Sequence, residues 1–301
     1  MRILYCYPFY GELGWEIMNW APHIRYICNS EGPFDHRFAV VRAGREGLYN
    51  GLIDEFDVFC EHEDCTEGNA FVLHRPDAYE YYNAHCSRCA EQILKLEQRG
   101  HMVTSIRLPP KEYRYFRYKM RNRLFCVLNP KSERLDYWRN IVDSSALVFS
   151  LRWITRSTKK NTPKHLYRAA AEWAEKHGRQ FITVGKCDLP IDFEQRGLWL
   201  INNTTLDDLL AIYHLCGMVV GSSSGTMHLA ALTKTPHVVW GGGRNDVRAR
   251  YLKDWNPFNT LVYHLDNKFD VTDKVLRLAL LSVSDNVASN SSVRKVSSCR
   301  S

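Results

Sequence analysis

The chain contains no run of about 18 consecutive apolar residues, so its sequence pattern offers no membrane-spanning helix. Its start also lacks a basic segment followed by an apolar core, the mark of a secretory leader, because a strand pattern begins at once. From both absences we expect an intracellular, cytoplasmic protein. There are no internal repeats beyond successive strand–helix units. Apolar residues are not scarce: they make up 45 % of 301 residues, enough for sizeable cores and, at this length, for two domains.

Cysteine is not scarce either, and ten are many for such a compartment. Cys6, Cys126 and Cys216 sit in apolar stretches, where buried thiols are common. Cys60 and Cys65, with Cys86 and Cys89, form two close pairs with His62 and His85 beside them. Such pairing fits a structural zinc site that would hold an insertion together, with reduced, unpaired thiols as the plain alternative. Acidic residues are outnumbered, 33 against 40 Lys and Arg, for a net charge of +7. Part of that excess is clustered in Lys111–Arg123, where basic and aromatic residues interleave. A run of this kind can grip nucleic acid or an anionic glycan, or lie as a solvated helix face.

The most informative stretch is Gly217–Gly243, GMVVGSSSGTMHLAALTKTPHVVWGGG. Met218–Val220 reads as a buried strand, Gly221–Gly225 as a loop of small residues, and Thr226–Thr233 as a helix. The first N–H groups of that helix have no partner within it, so a helix start behind a Gly/Ser turn suits an anion, usually phosphate. His228 falls on the first turn. Upstream, Ser145–Trp153 reads as a strand ending near Arg152, followed by Arg156, Lys159, Lys160 and Pro163, an amphipathic helix, and a strand at Gln180–Gly185. A strand, an Asn-Thr turn and a helix follow. The order predicts a Rossmann-like α/β half-domain with ligands at the carboxyl ends of its strands.

The N-terminal half opens in the same manner. Ile3–Tyr7 is a strand, Gly11-Glu12-Leu13-Gly14 breaks the chain, and Trp15–Asn29 has Ile17, Trp20, Ile24 and Ile27 at helical spacing. Glu16 follows one turn after Glu12, as the second candidate for a general base or as a carboxylate favouring the helix start. Asn129–Asp143 reads as a charged linker, Val271–Leu281 as a helix, and the Ser/Val/Asn-rich end as disordered. Expected boundaries are therefore 1–140, 141–283 and a tail at 284–301.

Several motifs of the C-terminal half carry a resemblance. Lys160…Pro163 is followed by Asn203-Thr204-Thr205-Leu206-Asp207-Asp208-Leu209, then Val219-Val220-Gly221, Ser224-Gly225, His228-Leu229-Ala230-Ala231 and Pro236. In this order, over roughly 120 residues, they resemble the donor half of GT-B glycosyltransferases, most of all the heptosyltransferase-like (ADP-heptose:lipopolysaccharide) family. The resemblance implies two Rossmann-like domains facing a central cleft. It also implies transfer of a sugar, hexosyl or pentosyl, from a nucleotide-diphosphate-sugar donor to a hydroxyl acceptor such as a glycan. Arg152, Lys159, Lys160, Ser223, Ser224, Gly225, Thr226 and His228 would bind the donor. Gly11, Gly14 and Glu16 would line the acceptor side. The family's "G-D" after the first strand matches Glu12, which would act as base in an inverting displacement. No D-x-D triplet of the metal-dependent kind occurs. One departure stands out: the family's acidic residue before Ser-Gly is Ser223 here, so the donor sugar need not be heptose. Two other functions stay open. One is a glycosyltransferase acting on DNA bases, gripped through 111–123 with the base flipped out of the stack. The other is a non-catalytic nucleotide- or glycan-binding module, for which Ser223 is the hint.

Overall fold

The computed structural model describes residues 1–9, 13–59, 76–107, 122–154, 161–187, 192–241, 248–266 and 271–298, and side chains of the first and last long helices only over 83–98 and 273–287. The chain forms two compact units, Met1–Cys126 and Val127–Ser301. Among the described residues no helix is long and apolar enough to cross a membrane.

The first unit is a four-stranded parallel sheet of β1 (Arg2–Cys6), β2 (His36–Arg42), β3 (Glu55–Phe59) and β4 (Met102–Ile106), in the order β3-β2-β1-β4. β1 is central, and Ile3, Leu4, Tyr5 and Cys6 are all buried, as a strand covered on both faces requires. The following helical segment begins as a turn at Leu13–Trp15, widens to a π-turn at Glu16–Trp20, and continues as α1 (Ala21–Glu31). Ile17, Trp20 and Ile24 are buried along it, as their spacing predicts. A second helix, α2 (Pro76–Gln98), precedes β4.

The second unit carries a six-stranded sheet of β5 (Leu147–Trp153), β6 (Phe181–Cys187), β7 (Leu198–Ile201), β8 (Met218–Ser222), β9 (His237–Trp240) and β10 (Val262–Leu265), all parallel in the order β10-β9-β8-β5-β6-β7. Its helices are α3 (Ser132–Arg139), α4 (Lys164–Lys176), α5 (Leu206–Leu215), α6 (Gly225–Leu232) and α7 (Asp273–Ser298). One face of the sheet, through Leu147, Phe149 and Leu151, packs on Leu166, Ala170 and Trp173 of α4 and on Leu276, Ala279, Leu280 and Val283 of α7. Each such large side chain contributes roughly 1.5–3 kcal/mol of burial. Gly185 explains a small residue in mid-strand: with φ +139, a Cβ there would lie 1.9 Å from the Leu151 carbonyl oxygen.

Three expectations are refined. The charged stretch 129–143 contains helix α3, which docks on α5: the Trp138 indole N–H donates to Asp208 Oδ1 at 2.9 Å and Lys131 pairs with Asp207 at 3.2 Å. Its charge density is a helix surface, and α3 belongs to the unit Val127–Ser301. Asp208 also completes a capping box with Thr205, which explains the Asn-Thr-Thr-Leu-Asp-Asp-Leu sequence as a helix start. Finally, α7 continues to Ser298, through much of the segment expected to be disordered. The Val275 N–H donates to Thr272 Oγ1 at its start, and no Gly or Pro follows before Ser298 to stop it.

Candidate functional site

The strand order of the second unit reverses between β5 and β8. From β5 the chain steps outward through β6 and β7, then returns to β8 on the other side and continues to β9 and β10. At such a reversal the flanking loops diverge and leave a crevice beyond the carboxyl ends of the two strands, where open α/β sheets bind ligands. β5 ends there with Arg152 and Trp153, and β8 ends with the Ser222–Ser224 turn into α6.

Local sequence shapes this edge. A Cβ on Gly221 would meet Ser150 Cβ at 2.9 Å and Met227 Sδ at 3.0 Å, so glycine lets the start of α6 settle close against β5. The Ser223 N–H donates to the Trp240 carbonyl at 2.8 Å, the last backbone tie before the turn. Ser224 is the N-cap residue in extended conformation, yet its side chain makes no capping bond. Its hydroxyl instead meets Thr226 Oγ1 at 2.9 Å, and Thr226 Oγ1 meets Ser150 Oγ at 2.6 Å. The first intrahelical bond comes only with His228, whose N–H donates to the Ser224 carbonyl at 3.2 Å. The helix start left uncapped here presents backbone N–H groups at the positive end of the helix dipole.

Ser150 and Arg152 lie two residues apart on β5 and so share one face of the sheet. Ser150 reaches Thr226, which puts Arg152 on the side of the α6 start. The Arg152 backbone is held on both sides by Thr162: Thr162 Oγ1 accepts from the Arg152 N–H at 3.2 Å and the Thr162 N–H donates to its carbonyl at 2.9 Å. Asn161 similarly brackets Ile154, accepting from its N–H at 3.0 Å and donating to its carbonyl at 2.9 Å. Lys159 and Lys160 fall outside the described residues.

His228 is buried on the first turn of α6, its ring 4.8 Å from that of Trp255 and 6.0 Å from that of Tyr251. Tyr251 is braced from below: its hydroxyl lies 2.9 Å from His237 Nε2, and His237 Nδ1 lies 2.9 Å from the Thr235 carbonyl. Full burial lowers the His237 pKa to about 4, which keeps the ring neutral. A neutral ring with Nδ1–H donating to a carbonyl leaves Nε2 to accept from the tyrosine. Sequence reasoning missed Ser150, Thr162, Tyr251 and Trp255. Only Ser150 left a trace, as a polar residue inside an apolar strand.

In the first unit, Gly14 lies in the turn Leu13–Trp15, and Gly11 and Glu12 fall outside the described residues. Glu16 is buried, 1 % exposed, with both carboxylate oxygens engaged: Arg45 Nη1 donates to Oε2 at 2.6 Å and the Tyr49 hydroxyl to Oε1 at 2.7 Å. Burial, reinforced by that carboxylate, pushes the Tyr49 pKa far up, so its hydroxyl stays a donor. Glu16 thus anchors the π-turn to the loop after β2.

Cys86 and Cys89 are buried one helical turn apart on α2, and burial pushes the Cys89 thiol up to about 11. Cys60, His62 and Cys65 fall outside the described residues. Among the described residues no group of three or more His, Cys, Asp or Glu side chains could hold a metal. Most of the basic run 111–123 also falls outside; Arg123 turns inward, donating to the Met18 carbonyl at 3.0 Å and lying over the Phe125 ring.

No protein-family model and no curated protein matches the chain. Solved structures do. The E. coli ADP-heptose lipopolysaccharide heptosyltransferase II superposes with TM-score 0.62 at 16 % identity, covering 94 % of this chain and 98 % of its own. A glycosyl transferase family 9 protein from Veillonella parvula gives 0.59 at 14 % identity, over 94 % and 96 %. An E. coli heptosyltransferase with ADP-2-deoxy-2-fluoro heptose gives 0.56 at 12 % identity, over 94 % and 99 %. The two parallel-sheet units are those of the GT-B glycosyltransferase fold, which both halves of the sequence suggested.

Proposed function

We propose that this protein is a glycosyltransferase that moves a sugar from a nucleotide-diphosphate-sugar donor to a hydroxyl acceptor, a glycan or a similar molecule. The observation that carries the proposal is the uncapped start of α6 at the β5/β8 reversal, in a chain with the GT-B fold. The N–H groups of Gly225, Thr226 and Met227 suit the donor diphosphate. Arg152, with Lys159 and Lys160 of the adjoining loop, supplies positive charge for the leaving group, and Ser223, Ser224 and His228 complete the donor set.

In the acceptor half, Glu12 takes the proton of the acceptor hydroxyl. That oxygen attacks the anomeric carbon as the bond to the diphosphate oxygen breaks, with inversion, and the nucleoside diphosphate departs with the electron pair. Glu16 is committed to Arg45 and Tyr49, which favours Glu12 as the base. Charge on the departing diphosphate is met by backbone N–H groups and guanidinium, so no metal is assigned a step.

The test is a thermal-shift screen of nucleotide sugars, followed by turnover with the best stabiliser. A donor at 100 times its dissociation constant stabilises the native state by about 2.7 kcal/mol. No shift with any nucleotide sugar or free nucleoside diphosphate would refute the proposal.

A further inference from the structure

An N-cap serine ordinarily turns its hydroxyl onto the N–H groups of the first helical turn and satisfies one of them. Ser224 has the extended backbone of an N-cap but no such bond. Its Oγ is held 2.9 Å from Thr226 Oγ1, which in turn lies 2.6 Å from Ser150 Oγ on the neighbouring strand. The fully buried Tyr213 hydroxyl, which makes no well-formed hydrogen bond, lies within electrostatic reach of the same Ser150 and Thr226 hydroxyls. Four hydroxyls from β5, α5 and the α6 start therefore converge beneath the helix end. Gly221 allows the approach, since any side chain there would collide with Ser150 and Met227.

We infer that Ser150 and Thr226 are positioning residues that hold the Ser224 hydroxyl away from the capping position, keeping the first N–H groups of α6 open to the donor diphosphate. The inference rests on the diphosphate site proposed above. Serine at this position has two partners to choose from, its own helix or the ligand's oxygens. The Thr226 hydroxyl removes the first choice. Without it, Ser224 would swing onto the helix and the diphosphate would have to displace an internal cap.

The test uses the full chain and ADP, UDP, GDP and dTDP as probes, titrated calorimetrically. In a Ser150→Ala/Thr226→Val double variant, where no hydroxyl is left half-paired between the two sites, Ser224 becomes free to cap. Affinity for the best diphosphate should fall about fivefold, the size of one helix cap. Adding Ser224→Gly removes the competing hydroxyl at little cost to the helix and should recover part of that loss, the remainder being the contact that the Ser224 hydroxyl itself makes with the donor. A merely structural role for the hydroxyl cluster predicts no such rescue, because a third substitution could only weaken the fold further. Direct contact of the Thr226 hydroxyl with phosphate predicts none either. Failure of the triple variant to regain affinity, or no loss in the double variant, overturns the inference. A parent chain that binds none of the four diphosphates defeats the diphosphate site itself, and the inference with it.

Discussion

β1 and β8 are both buried parallel strands, and in each case the sequence runs through glycine into a helical segment. The two segments begin differently. After β8, the first turn holds only Ser224, Gly225, Thr226 and Met227, and the cap serine is turned aside. After β1 the helical segment begins at Leu13, and Glu16, at the start of its π-turn, is buried with Arg45 and Tyr49 on its two oxygens. One start presents backbone N–H groups and hydroxyls; the other carries a carboxylate whose charge an internal arginine meets. A strand–Gly–helix pattern therefore does not by itself announce an anion site.

The largest expected effect separates the two loops by role. Glu12→Gln keeps shape but cannot take a proton, so turnover should fall roughly a hundred- to ten-thousandfold while donor affinity stays near normal. Full turnover in this variant, measured with the donor found by screening, would remove the base from this loop. Arg152→Ala tests the other half. Loss of charge-assisted hydrogen bonds should weaken diphosphate binding roughly ten- to a hundredfold with little change in melting temperature. Arg152→Lys should recover little of it, because an ammonium lacks the bidentate fork. Parent-like affinity in both would make Arg152 structural.

Smaller effects probe the supports. His237 is neutral when buried, with a pKa of about 4, and would regain an ordinary value near 6.5 on unfolding. Between those values the unfolded chain binds more protons, so stability is full above about pH 6.5 and is lost as pH falls towards 4. The loss should reach roughly 3 kcal/mol at about 1.4 kcal/mol per unit. Urea melts at several pH values should show this slope, and His237→Gln should flatten it; an unchanged slope would place the effect on another group. Glu16→Gln leaves the part-buried Arg45 without its counter-charge and should cost about 2 kcal/mol of stability. Diphosphate affinity should not change. Weakened diphosphate binding in Glu16→Gln would mean that the two loops are not as independent as the comparison holds.

Much of the second unit was legible from residue order. The strand at Met218, the helix beginning near Thr226, the strand ending near Arg152 and the helix after Pro163 all form, with ends displaced by a few residues. Runs of Val, Ile and Leu bounded by small or polar residues encode them locally. The charged stretch around Ser132–Arg139 was harder, because its helix owes its place to Trp138 and Asp208, 70 residues apart. The first unit shows the same limit. Glu16 read as a helix-start carboxylate or a reserve base; Arg45 and Tyr49, brought in by the turn after β2, close on it in the structure.

By itself the sequence determined the alternation of strands and helices, the Gly/Ser turn before α6 and the basic residues after β5, since each follows from neighbours within a few positions. Only the tertiary structure decided what the polar groups of each turn meet. That depends on Ser150 meeting Thr226 across 76 residues and on Arg45 meeting Glu16 across 29. Side chains so distant in the chain pair only once parallel strands have stacked them at one edge of a sheet, and no local pattern records that meeting.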